Sequence, residues 1–292
     1  MPSFQVIAVH RRMLLVRAAD GSELPARARG RNQSVACGDH VTCEFDALHR
    51  EWNVSGIAAR RNGLYRSNSR GGSELIAANL TQLIVVIAPR PWADLFMVDR
   101  YLCAAHCSGM RAVILVNKSD LALQAQSDAE LAAYEQAGFT LLRVSAHSGD
   151  LDSLREHLRN QTSILVGQSG VGKSSLLRAL LPSCEAPVGE LTGDEEGRHT
   201  TTVTRLHPLP GGGDLLDSPG VRDFAPAIDR LTGRALGFIE VERLGTGCRF
   251  SDCRHLREPD CAVRAAVENG NFSARRYESY RRLQRLVTRL RS

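Results

Sequence analysis

Hydrophobic positions change rhythm twice along this 292-residue chain, and the changes mark out its domains. From 4 to 60 the apolar residues come in short stretches broken by turn residues: FQVIAVH, MLLVRA, a turn at Asp20-Gly21, ELPARAR, HVTCEFDA and EWNVSGIAA. Five short strands without a helical repeat predict a small β-barrel of the OB type. Residues 62–74, NGLYRSNSRGGSE, are polar and rich in Gly and Ser and read as a linker.

From 80 onwards LTQLIVVIA, RAVILVN, TLLRVSA and TSILVG alternate with the helix patterns FMVDRYLCAAHCSG, SDAELAAYEQAG, SLREHLRN and GVGKSSLLRALLP. These strands are continuously apolar rather than alternating, which predicts a parallel sheet covered by helices on both faces. TRLHPLP and DLLDSPG flank Gly211-Gly212-Gly213 as a hairpin would. After about 225 strand signals stop, and the chain ends in an Arg-rich amphipathic helix over 275–291. The expected division is multidomain: an OB-type RNA-binding β-barrel at 1–66, an α/β P-loop domain at 67–226 and a helical, metal-binding domain at 227–292.

Composition narrows this picture. With 43% hydrophobic and 24% charged residues the chain can build cores and is not disordered as a whole. The longest apolar run, LIVVIA at 83–88, is too short to cross a bilayer, and the N-terminus shows no apolar signal core. A cytoplasmic chain with no membrane partner is expected, and the lack of a coiled-coil seam points to a monomer. Net charge is +4 over 1–66, −5 over 67–270 and +6 over 271–292. Basic ends around an acidic middle suggest nucleic acid at the ends, although solvated Arg-rich faces would give the same counts. Of 37 basic residues only Lys118 and Lys173 are lysine, and both fall in nucleotide-binding motifs.

Gly167-Gln168-Ser169-Gly170-Val171-Gly172-Lys173-Ser174, followed by Ser175, fits GxxxxGK[ST] between a strand and a helix, the context this motif requires. Its glycines let successive backbone N–H groups face phosphate oxygens, Lys173 reaches the β/γ-phosphates and the Ser174 hydroxyl binds Mg²⁺. Asn117-Lys118-Ser119-Asp120, at the end of a buried strand, fits NKxD. The Asp120 carboxylate can accept from guanine N1–H and N2–H₂ together; adenine offers no matching pair of donors. A helix N-cap would also use Ser-Asp here. Ser145-Ala146 resembles the loop whose backbone N–H meets guanine O6. Asp217-Ser218-Pro219-Gly220 fits DxxG, with Asp217 holding Mg²⁺ through water and the Gly220 N–H at the γ-phosphate. Thr200, Thr201 and Thr202 lie where a switch threonine belongs; the spacing does not decide which of them holds Mg²⁺, and Thr201 is the favoured one.

GTPases ordinarily run P-loop, switch Thr, DxxG, NKxD, SA. Here the order is NKxD, SA, P-loop, Thr, DxxG, which is a circular permutation. The sheet can survive such a cut because termini tend to lie near one another. Both extra modules are then wired to the segments that respond to the γ-phosphate.

Cys248-x4-Cys253-x-His255-x5-Cys261 gathers three thiols and one imidazole in fourteen residues. Such a set suits tetrahedral Zn²⁺ in a closed structural site with no position left for water. Eight cysteines in all are too few for a disulfide scaffold, so the cluster points to metal in a reducing compartment.

Together with IAAN at 76–79, VDRYL at 98–102, GRHTTT at 197–202, DSPGVRDF at 217–224, FSDCRH and EPDCAV within 250–263, and RYESY at 276–280, these motifs give the chain a close resemblance to the RsgA family, also called YjeQ or EngC. These are circularly permuted GTPases of small-ribosomal-subunit biogenesis. The resemblance covers nearly the whole length. It implies GTP hydrolysis to GDP stimulated by the 30S subunit late in its maturation, with barrel and zinc domain against 16S rRNA and no DNA partner. Val221 follows DxxG where many GTPases place a water-orienting Gln, and the resemblance gives that role to His199. The rival reading is an RNA-binding assembly factor gated by nucleotide, with little stimulated hydrolysis.

Overall fold

The computed structural model describes residues 3–10, 13–28, 34–68, 72–181, 204–218 and 224–291. Five strands open the chain: β1 (Ser3–His10), β2 (Met13–Arg17), β3 (Glu23–Ala28), β4 (His40–Asp46) and β5 (Glu51–Ile57). β1, β2 and β3 form an antiparallel meander, β5 runs parallel to β3, β4 pairs with β5, and β4 returns to β1. The barrel is closed, and no edge among the five is left over. Phe4, Val6, Leu14, Val16, Ala26, Val41, Cys43 and Val54 fill it.

Residues 62–74 depart from the linker reading. β6 (Gly63–Ser67) and β7 (Ser73–Ala78) pair as an antiparallel hairpin. Its buried residues are Leu64 and, beyond the 62–74 stretch, Ile76, Ala77 and Ala78, while Arg66, Ser67 and Ser73 near the turn dominate the composition and hide the strands.

The central sheet holds β8 (Gln82–Ile87), β9 (Arg111–Val116), β10 (Thr140–Arg143), β11 (Thr162–Val166), β12 (Thr204–Pro208) and β13 (Asp214–Asp217) in the order β10-β9-β8-β11-β13-β12. All but β12 are parallel. The continuous apolar runs are explained by burial on both faces. Leu83, Val85 and Ile87 of β8 pack with α1 (Leu95–Cys107) and α2 (Ala125–Gln136). Ile84 and Val86 pack with α3 (Asp152–Leu158) and α4 (Lys173–Leu180). The sheet does not stop at β12: Ala8 and Val9 of β1 pair with Arg205 and Thr204, which joins barrel and central sheet through backbone. Arg17 reinforces the joint by donating to Asp214 at 2.8 Å.

Beyond Phe224 come α5 (Ile239–Gly245), α6 (Ala262–Glu268) and α7 (Ala274–Arg291). Their core includes Phe238, Val263, Phe272, Tyr280 and Leu283 and takes in Phe96, Cys103 and Ala104 of α1. A charge cluster lies in the same interface. Arg276, 1% exposed, grips both oxygens of Glu240 and donates to Asp99, which is fully buried. Arg275 donates to the other Asp99 oxygen and to Glu130 at 2.7 Å, and the Tyr134 hydroxyl donates to Asp99 at 2.9 Å. Burial works against the Arg276 charge, but Asp99 and Glu240 outweigh it and hold the guanidinium protonated. Removing one member strands the others in a dry site. Arg276→Ala should cost about 3–5 kcal/mol in urea unfolding of the full chain, whereas Arg281→Ala, which breaks an exposed pair with Glu278, should cost no more than about 1 kcal/mol.

Candidate nucleotide and metal sites

The parallel strands all point their carboxyl ends to one edge, where ligands bind in open α/β sheets. β8 leads there into Pro89–Asp94, β9 into Asn117–Asp120, β10 into Ser145–Ala146, β11 into Gly167–Gly172, and β13 ends in Asp217. Every sequence-predicted nucleotide residue within the described segments falls on this edge or in the first turn of α4.

The phosphate-loop candidate is held from beneath. A Cβ on Gly167 would sit 2.2 Å from the Val86 carbonyl oxygen, and Gly167 has φ +139°. Only glycine lets this backbone lie on β8. Lys173, the first residue of α4, is buried, and its Nζ donates to the Gly167 and Gln168 carbonyls at 2.6 and 2.8 Å. With the carbonyls tied back to the ammonium, the loop is shaped as a phosphate cradle. Ser174 is half-buried and Ser175 exposed in the first turn of the helix; Ser169 and Gln168 are exposed, with Gln168 Oε1 accepting from Asp94 N at 3.3 Å.

The NKxD candidate is bonded to that same loop. Asn117 Nδ2 donates to the Val171 carbonyl at 2.9 Å, while its Oδ1 accepts from Ala146 N at 3.1 Å. One amide thus ties the strand ends β9, β10 and β11 together. Lys118 Nζ donates to the Gly170 and Arg90 carbonyls at 2.7 and 2.8 Å. Gly172 closes the contact: a Cβ there would meet Asn117 Nδ2 at 2.2 Å. Ser119 N bonds the Val144 carbonyl, which leaves Asp120 exposed at the rim. Its Oδ1 accepts from the Ser145 hydroxyl at 2.5 Å, and this bond holds the Asp120 carboxyl below its usual value. The carboxylate is ionised at neutral pH, the form that can accept from two N–H donors. Ser145 thus meets Asp120 through its side chain, a contact separate from the backbone role expected of Ser145-Ala146. Asp217 stands opposite Arg205 at the end of β13, and the next residue, Ser218, shares a 2.7 Å hydroxyl contact with Thr204. His199, Thr200, Thr201 and Gly220 lie outside the described residues. The reading of motifs missed Arg90, whose carbonyl Lys118 holds; a backbone contact carries no side-chain signal.

In the C-terminal region, the candidate ligand atoms of Cys248, Cys253, His255 and Cys261 all lie within 4.8 Å of one another. Cys248 and Cys261 sulfurs are 3.9 Å apart, and they sit 3.4 and 3.5 Å from His255 Nδ1. A tetrahedron built on zinc bond lengths has edges of about 3.8 Å between sulfurs and about 3.6 Å from sulfur to nitrogen. The four groups fit that ion. Burial pushes His255 below its ordinary value, towards the neutral form that ligates, and pushes the Cys253 thiol up to about 12. The loop is fixed from outside as well: Glu258 accepts from the N–H groups of Arg254, Leu256 and Arg257 at 2.9 Å each, and Tyr277 and Tyr280 hydroxyls donate to the His255 and Arg254 carbonyls.

Known proteins resemble this chain along most of its length. The family model "RsgA GTPase" matches residues 57–226. Small ribosomal subunit biogenesis GTPase RsgA of Pseudomonas aeruginosa is 40% identical over 287 residues, covering 96% of this chain and 84% of that one. The protein of the same name from Ectopseudomonas mendocina is 46% identical over 231 residues, 77% of this chain and 67% of its own. Among solved structures, YjeQ from Thermotoga maritima superposes with a TM-score of 0.74 at 25% identity, covering 98% of each chain. YloQ, described as a circularly permuted GTPase, gives 0.72 at 26% identity over 99% of this chain and 95% of its own.

Because Gly172 is where loop and NKxD strand touch, Gly172→Ala is the sharpest probe of that junction. It should weaken binding of a fluorescent GDP analogue by about tenfold or more, measured by titration, while cooperative urea unfolding persists.

Proposed function

The chain belongs to the RsgA GTPase family, and from that premise we propose that it hydrolyses GTP to GDP and phosphate in response to the small ribosomal subunit, in the late maturation of that particle. The observation that carries the reading is the contact of Asn117 and Lys118 with Val171 and Gly170, which joins the NKxD segment directly to the GxxxxGKS loop. In this reading one guanine nucleotide bridges the two.

In this reading Asp120 accepts from guanine N1–H and N2–H₂, with the Ser145 hydroxyl fixing the carboxylate, and the Ala146 N–H serves O6. Gly167 to Gly172 offer backbone N–H groups to the phosphates, and Lys173 leaves its two carbonyls for the β/γ-phosphates. Ser174, Asp217 and Thr201 hold Mg²⁺, which neutralises charge on the transferred phosphoryl group. His199 orients the attacking water in place of the Gln that Val221 replaces. The barrel and the basic C-terminal region bind 16S rRNA, and Cys248, Cys253, His255 and Cys261 hold one structural Zn²⁺. The protein works as a cytoplasmic monomer.

Phosphate release from GTP and ATP, with and without purified 30S particles, tests the core of this. GTP alone should be turned over, at a rate raised at least about tenfold by 30S, and His199→Ala should lose about 10²-fold of the stimulated rate. Nucleotide-dependent 30S binding without stimulated release would favour a passive lock instead. Elemental analysis should find one zinc per chain. Adding zinc to metal-stripped protein should release protons, because protonated thiols must ionise to ligate.

A further inference from the structure

We propose that Arg90 is a further binding residue of the nucleotide site, its guanidinium binding the α-phosphate and ribose edge of the guanine nucleotide; this rests on the GTP-binding reading above. Arg90 lies just beyond β8, in the loop facing the phosphate cradle. Lys118 Nζ donates at once to the Arg90 carbonyl and to the Gly170 carbonyl, so the two loops are pinned to a single nitrogen. The next residue, Pro91, sits where a Cβ on Gly170 would touch its ring at 3.4 Å. The Arg90 backbone is therefore fixed, and its side chain is not used to fix it. That side chain is exposed, and among the described residues it has no ion pair and no hydrogen bond. The nearby acid of the same loop, Asp94, is committed to capping α1 by accepting from Phe96 N at 2.9 Å.

Place decides what such a charge meets. On one side of Lys118 lies Gly170, within the backbone that cradles phosphates. On the other lies Asp120, two residues on, which reads the base. A nucleotide spanning both must carry its ribose and α-phosphate past the junction where Arg90 stands. A planar guanidinium is suited to bridging two oxygens there. Those groups are common to GDP and GTP, so the contact should hold both nucleotides equally and sense no γ-phosphate.

The test is titration of the full chain with mant-GDP and with a mant-labelled non-hydrolysable GTP analogue, beside steady-state turnover. Arg90→Ala should weaken both nucleotides by the same factor, about five- to thirtyfold, with KM for GTP rising in step. Arg90→Lys should recover part of the loss and Arg90→Gln little of it. The gap between wild type and Arg90→Ala should narrow at 1 M salt, since an exposed charge is screened. The substitution leaves the carbonyl held by Lys118 in place, and unchanged urea unfolding checks this. Equal affinities in wild type and Arg90→Ala would overturn the proposal alone. So would a fall in kcat at saturating GTP with affinities intact, which would place the charge at the γ-phosphate. No binding of either analogue by the wild-type chain would overturn the GTP-binding reading along with it.

Discussion

Both lysines of this chain end on carbonyl oxygens around one eight-residue loop. A loop that turns its N–H groups towards a ligand must turn carbonyls the other way, and carbonyls packed against a buried strand need donors. Lys173 and Lys118 supply them with compact ammonium heads, each reaching two oxygens. A planar guanidinium spreads its donors over a wider fork and does not fit beneath so tight a turn. That difference accounts for lysine at these two positions in a chain whose other basic residues are all arginine. The shape of the loop, the register between β9 and β11, and the relation of Asp120 to the cradle all follow from these four bonds and the Asn117 amide between them.

The same edge is connected outward by two routes. Through β12, paired with β1, the barrel continues the central sheet, with Arg17 on Asp214 three residues before Asp217. Through α1, three consecutive residues serve different neighbours: Asp99 takes the arginines of α7, Arg100 donates to the Pro226 carbonyl, and Tyr101 donates to the Phe224 carbonyl. The chain beyond DxxG is thus fastened to α1 as soon as the described structure resumes, and the C-terminal domain is fastened to the helix residue beside it. The permuted order makes this possible, because the segment after DxxG leads out of the sheet into the added domain rather than into another strand of it.

Much of this was legible in the sequence because the signals were local. Continuous apolar runs gave β8, β9 and β11, since burial on both faces leaves no polar alternation. The glycine and lysine spacing gave the loop, and four ligands in fourteen residues gave the Cys/His cluster. What stayed hidden depends on partners far apart in the chain. Asp99, Arg275 and Arg276 lie in helices the sequence predicts, but nothing local pairs them; only the approach of α7 to α1 makes them a buried cluster. Residues 62–74 read as a linker because they cover the polar turn end of β6–β7, and the buried run Ile76, Ala77 and Ala78 follows after them. Ile7 and Val6 are both buried, one in each of two cores, since β1 is a wall of the barrel and an edge of the central domain at once.

The Cys/His loop and the buried charge cluster are held by neighbouring turns of one helix. Arg275 and Arg276 reach α1, while Tyr277 and Tyr280 reach the His255 and Arg254 carbonyls of the Cys/His loop. His255 sits at φ +59°, a left-handed conformation that costs a non-glycine residue about 1–2 kcal/mol. Three N–H groups on Glu258 and the two tyrosine hydroxyls oppose that cost, and a bound ion would oppose it further. Rotation or fraying at the start of α7 would loosen Asp99 and the His255 carbonyl together. The Cys/His loop and the docking of the C-terminal domain on α1 therefore share one support, the first turns of α7.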